Sequence, residues 1–135
     1  MDKIGIGVIG CGSIAELAHF PSIKRAKNVE LIAVCDTNEE IAKRAKEKWG
    51  AKAWYRDYEK MLKERDDLKA VVIASPPKFH CEQGIACAER GLHLLIEKPL
   101  AVTNKEAWDI VNTAKENKVK LMVGCDRRFW PQNQW

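Results

Sequence analysis

No apolar run in this chain approaches the roughly 18 residues that a membrane-spanning helix needs, so no membrane partner is expected. Blocks of like charge are missing too. The 23 Lys and Arg stand against 19 Asp and Glu, a net charge of +4, and the basic residues are dispersed along helix-like segments. That distribution reads as a solvated surface and offers no patch for a nucleic acid. The five cysteines (11, 35, 81, 87 and 125) are odd in number and form no Cys-x-x-Cys pair. They stand where a small apolar residue would serve, so buried free thiols in a reducing, cytoplasmic setting are expected, and no metal site. Met1-Asp2-Lys3 leads directly into a strand-like run, so no signal peptide is expected. Repeats, low-complexity stretches and internal linkers are also lacking.

What is present is one domain's worth of chain. Its 135 residues, 46% hydrophobic and 31% charged, are ordinary for a globular protein and would bury roughly two-thirds of the unfolded surface. Strand-like runs at Ile4–Ile9, Val29–Cys35, Ala53–Tyr55, Ala70–Ala74, His93–Ile96 and Lys120–Val123 alternate with helix-like segments. Their mostly continuous Val/Ile/Leu character suits strands buried on both faces of a parallel sheet. Thr37-Asn38-Glu39-Glu40 and Thr103-Asn104-Lys105-Glu106 read as capping boxes with Thr at the N-cap. The first opens a helix with Ile41, Ala45 and Trp49 on one face, closed by Gly50. The second places Ala107, Val111 and Ala114 together, with Trp108 beside them. A third helix, from His80 to Arg90, would end at Gly91, and Pro21 predicts a kink or break in the first. The predicted fold is α/β: a three-layer, doubly wound fold with a mostly parallel six-stranded sheet.

The first strand runs straight into Gly10-x-Gly12-x-x-Ala15. A strand, a glycine turn and a helix N-terminus in that order present bare N–H groups to a pyrophosphate, the pattern of a Rossmann fold. Asp36 closes the second strand, 21 residues beyond Ala15 (36 − 15), where a carboxylate accepts hydrogen bonds from an adenosine ribose and repels a 2′-phosphate. Alternatively it merely precedes a helix cap. The fourth strand ends in Ser75-Pro76-Pro77-Lys78-Phe79-His80, facing the same crevice, with Ser75 offering a hydroxyl and His80 either a polar contact or a helix N-terminal residue. The fifth ends in Glu97-Lys98-Pro99, where the lysine could hydrogen-bond a substrate hydroxyl and assist its deprotonation, or form an ion pair.

These motifs together, with Glu97-Lys98-Pro99 the most specific, resemble the glucose–fructose oxidoreductase / inositol dehydrogenase / MocA family. The resemblance covers essentially the whole chain but only that family's nucleotide-binding half. It implies a nicotinamide cofactor held by Gly10, Gly12, Ser13, Ile14, Asp36, Thr37, Ser75, Pro76, His80, Glu97 and Lys98. It also implies that Lys98 touches the substrate hydroxyl and that the Lys98–Pro99 peptide is cis. Gly124-Cys125-Asp126-Arg127-Arg128 looks like the family's link into a second domain, with Asp126 where Asn is usual. By this reading residues 1–124 form the dinucleotide-binding domain and 125–135 begin the link to a substrate domain that also carries the acid/base pair and the oligomer contacts. Phe129, Trp130 and Trp135 would then pack against something absent.

The expected function is NAD-dependent oxidation of a secondary alcohol on a sugar, cyclitol or related polyol, with NAD favoured over NADP. The chain itself is expected to be a truncated piece that binds the dinucleotide without turning substrate over. Two other readings remain: a non-catalytic dinucleotide sensor on the same fold, and an S-adenosylmethionine-dependent methyltransferase.

Overall fold

The computed structural model describes residues 2–133. Its strands are β1 (Ile4–Ile9), β2 (Val29–Cys35), β3 (Ala53–Tyr55), β4 (Ala70–Ile73), β5 (His93–Glu97) and β6 (Leu121–Gly124). They form a single sheet in the order β3-β2-β1-β4-β5-β6, and all five pairings are parallel. The first three expected strands coincide with the observed ones, and the last three differ by a single residue at one or both ends.

Parallel strands need crossovers, and the helices supply them on both faces. Val8 points into one core with Phe20, Leu31, Val34 and Ala45. Its neighbour Ile9 points into the other with Ile73, Ile96 and Ile110. The register slips between Ile6 and Gly7, whose partners are Leu31 and Ala33. Ile32 is the extra residue of that bulge, so Ile32 and Ala33 enter the same core. Phe20 is fully buried and stacks on Trp49, with ring centroids 5.6 Å apart, tying the first helical segment to the second.

α2 (Glu39–Trp49) corrects one cap: Asn38 and not Thr37 closes its N-terminus, accepting from Glu40 N and Ile41 N. Thr103 does cap α5 (Asn104–Glu116), accepting from Glu106 N, while the Glu106 carboxylate reaches back to Val102 N. The buried face of α5 is Ile110 and Ala114, and Trp108 is 62% exposed instead of packed beside them. α3 (Tyr58–Glu64) and α4 (His80–Glu89) cover the same side of the sheet, and α4 ends before Gly91 as expected.

Pro21 breaks nothing. Helical backbone runs from 13 to 25, passing from a π-turn (Ala15–His19) into α1 (Phe20–Arg25), with Phe20 N bonded five residues back to Ala15 O. The wider turn absorbs the proline's missing donor and its ring. All five cysteines are free, and Cys11, Cys35 and Cys87 are buried. No helix among the described residues is long and apolar enough to cross a membrane. Phe129 and Trp130 are 65% and 42% exposed, and Trp135 lies outside the described residues.

Candidate functional site

β2 lies on one side of β1 and β4 on the other, so the chain leaving β1 and the chain leaving β4 turn to opposite faces. That divergence opens a crevice at the carboxyl edge of the sheet. Two glycines build its floor for different reasons. Gly10, at φ 91°, donates to Cys35 O at 2.8 Å, and a Cβ there would stand 2.5 Å from Ser75 N and 2.6 Å from the Ala74 carbonyl carbon. It lets the β1 and β4 turns touch. Gly12 faces open space, since a Cβ there would meet no atom within 4 Å. The first helical bond runs from Glu16 N to Gly12 O, and no side chain caps this end. The N–H groups of Ser13, Ile14 and Ala15 therefore lack intrahelical acceptors.

Asp36 is pinned at the end of β2. One carboxylate oxygen accepts from Cys11 N at 3.0 Å and the other from Asn38 N at 2.9 Å. Each oxygen retains a lone pair for a hydroxyl. The Cys11 thiol packs below and donates to Cys35 O. Burial, aided by the neighbouring Asp36 charge, pushes the Cys11 thiol far up and that of Cys35 to about 12.

Across the crevice, Ser75 Oγ donates to Gln83 Oε1 at 2.5 Å. His80 corrects the expectation of a cofactor contact. It is completely buried, with Nδ1 at 2.9 Å from Pro99 O and Nε2 at 2.8 Å from Ser75 O. It clamps the turn after β4 to the turn after β5 and has no surface to offer a ligand. The Lys98–Pro99 peptide is cis. Glu97 meets a residue that sequence reasoning passed over: His19 Nε2 lies 2.8 Å from its Oε1.

Two cavities meet at Ala74 and Ser75. The larger, about 700 Å³, is lined by Gly10, Gly12, Asp36, Thr37, Ser75 and Pro76. The smaller, about 510 Å³, is lined by Ile14, Ser75, Glu97 and Lys98 with His19 and Ser22. Thus all the anticipated residues line one or the other except Ser13, exposed at the helix start, and His80. The larger cavity also takes in Arg56, Tyr58 and Gln83, none of which had been singled out. Arg56 and Tyr58 directly follow β3, and a strand's carboxyl end was the available signal. His19 and Ser22 carried a weaker one, their place on the helix leaving the glycine loop. Burial, together with a hydrogen bond to Glu82, holds the Tyr58 phenol above its ordinary range, so it stays a neutral donor.

A dinucleotide fits these residues. The uncluttered space over Gly12 is a cradle that any Cβ would enter, beside unpaired helical N–H groups. It lies between one cavity ending in a pinned carboxylate and another ending in a lysine. This strand order, glycine turn and acidic residue define an NAD(P)-binding Rossmann domain.

Residues 4–125 match the family model described as "Oxidoreductase family, NAD-binding Rossmann fold", that of the glucose–fructose oxidoreductase / inositol dehydrogenase / MocA group, and the chain belongs to that family. It is 34% identical over 130 residues to a 4-carboxy-2-hydroxymuconate-6-semialdehyde dehydrogenase from Sphingobium sp., covering 96% of this chain and 41% of the relative. A dehydrogenase from Bordetella pertussis, solved with NADH and UDP-GlcNAcA, superposes with a TM-score of 0.92 at 32% identity, covering 98% of this chain and 40% of that one. A 3-ketoreductase from Actinomadura kijaniata, solved with NADP and TDP-benzene, does so with a TM-score of 0.90 at 31% identity, covering 97% and 40%. The chain thus spans about two-fifths of the length of these relatives.

Proposed function

We propose that this chain is the cofactor-binding part of an NAD-dependent dehydrogenase acting on a secondary alcohol of a sugar, cyclitol or related polyol. The supporting observation is the pair of cavities joined at Ser75, with Asp36 at one end and Glu97-Lys98 at the other. Residues 1–124 are assigned to binding the dinucleotide and 125–135 to the start of the link onward. The adenosine ribose goes to Asp36 and Thr37, the pyrophosphate to the backbone from Gly12 to Ile14, and the nicotinamide half to Ser75, Glu97 and Lys98.

Asp36 favours NAD over NADP. Its two backbone hydrogen bonds prevent the carboxylate from swinging aside, so a 2′-phosphate would meet a fixed negative charge. Arg56, a cation lining the same cavity, is directed toward Thr37 O at 3.4 Å and Glu39 at 3.9 Å. When bound, the nicotinamide supplies the hydride acceptor. Lys98 would orient the substrate hydroxyl and help it lose its proton. Since the cavity around Lys98 is open, this chain by itself would bind cofactor and turn over little substrate. A further domain would have to close the site and exclude water.

Isothermal titration of the folded chain with NADH, NADPH and S-adenosylmethionine tests this reading. Saturable binding of NADH, weaker binding of NADPH and none of S-adenosylmethionine are expected. A folded chain that binds neither nicotinamide cofactor overturns the reading.

A further inference from the structure

Lys98 and Glu97 are adjacent in sequence, yet they do not pair. Among the described residues the Lys98 ammonium makes no hydrogen bond or ion pair, although it lines the same cavity as the Glu97 carboxylate. The carboxylate is already occupied. Its Oε1 accepts from His19 Nε2 at 2.8 Å, across 78 residues of sequence. Its Oε2 accepts from the Lys98 backbone N–H at 3.2 Å. On β6, Gly124 closes over it so tightly that a Cβ there would stand 3.0 Å from Oε1. The His19 and Glu97 side chains are only 11% and 15% exposed, so water competes weakly for this bond.

Without His19, Glu97 would be a largely buried carboxylate short of one donor. The demand for a replacement is strong in such a site, and the ammonium one residue along the chain is a mobile cationic donor lining the same cavity. We infer that His19 is a positioning residue of the nicotinamide-side cavity: by occupying Glu97 it leaves the Lys98 ammonium free for a ligand. The ligand's identity rests on the dinucleotide reading above, but the competition between His19 and Lys98 for Glu97 does not.

The test therefore has two arms, applied to the wild-type chain and to His19→Ala, His19→Gln and His19→Ala/Glu97→Gln. In the first, trace acetylation with an N-hydroxysuccinimide ester reports the reactivity of Lys98 relative to Lys78 by peptide mass spectrometry, with no cofactor present. Capture by Glu97 should lower Lys98 reactivity about threefold in His19→Ala, in line with a partly exposed ion pair. His19→Gln, which retains a donor, and the double variant, which removes the charge, should restore it. In the second arm, His19→Ala should weaken NADH binding about tenfold, the size of one charge-assisted hydrogen bond, while ADP-ribose, which lacks the nicotinamide, binds within about twofold of wild type. Unchanged Lys98 reactivity in His19→Ala, or equal losses for NADH and ADP-ribose, would overturn the inference. Failure of the wild type to bind NADH would refute the dinucleotide reading, and the acetylation arm would still decide the role of His19.

Discussion

Substituting alanine at Gly10 and at Gly12 should separate folding from binding within one three-residue turn. At Gly10 the new Cβ sits at φ 91° and within 2.8 Å of three backbone atoms of Ala74 and Ser75. None of these is the end of a flexible side chain, so the β1 and β4 turns must move apart. A left-handed non-glycine residue costs about 1–2 kcal/mol, and overpacking adds about 1–3 kcal/mol. The sum, about 2–5 kcal/mol, is a large part of the roughly 5–15 kcal/mol that holds a domain together. The urea midpoint of Gly10→Ala should fall by about 1–3 M.

At Gly12 no atom lies within 4 Å of the added carbon, and its φ lies outside the left-handed range. Gly12→Ala should leave the midpoint unchanged or raise it, by up to about 1 kcal/mol of stability, because alanine narrows the unfolded ensemble. It should nonetheless weaken NADH binding by about 100-fold or more, since the methyl group holds the pyrophosphate away from the helix N-terminus. Urea melts followed by tryptophan fluorescence, with calorimetric NADH titrations below the transition, measure both quantities. Wild-type NADH binding by Gly12→Ala, or equal destabilisation by the two substitutions, would show that the two glycines do not divide these roles.

Asn38→Ala should cost about 1 kcal/mol and Thr37→Ala much less, reversing the order expected from a Thr-capped box, while Thr103→Ala again costs about 1 kcal/mol; urea midpoints rank the three. Iodoacetamide at pH 8 should leave Cys35 and Cys87 unmodified in the folded chain, because burial holds both thiols at about 12 and thiolate forms only as the pH rises toward that value. Labelling in urea followed by peptide mass spectrometry supplies the contrast. Burial alone would raise the Glu16 carboxyl, but hydrogen bonds from Lys48 Nζ at 2.6 Å and Trp49 Nε1 at 2.9 Å outweigh it and hold it low. A depressed carboxyl stabilises the fold above its unfolded value, near pH 4.3, and loses that contribution as the pH falls through the folded one. The urea midpoint should therefore decline below about pH 4.5, and less steeply in Glu16→Gln.

The elements were legible because their causes are local. Continuous β-branched runs mark strands buried on both faces, and the glycine turn, Thr103 and Gly91 act on neighbours within a few residues. The misreadings came where two local solutions compete. Thr37 and Asn38 are both good caps, and the choice fell to Asn38 once Asp36 had taken the Asn38 N–H at 2.9 Å. Pro21 predicted a kink or a break, and the break does not occur: a π-turn accommodates the proline while Phe20 stays anchored on Trp49.

The sequence alone determined that a strand, a glycine turn and a helix start come in succession, that an acid closes β2, and that Glu-Lys-Pro closes β5. Those depend on residue type and spacing. Only the tertiary structure decided that Gly10 is needed by the fold while Gly12 faces open space, that His80 is spent as a clamp, and that His19 reaches the Glu97 carboxylate. These are meetings between residues 5 to 78 positions apart. They depend on which strand lies beside which and how closely the turns approach, distances that no run of neighbouring side chains encodes.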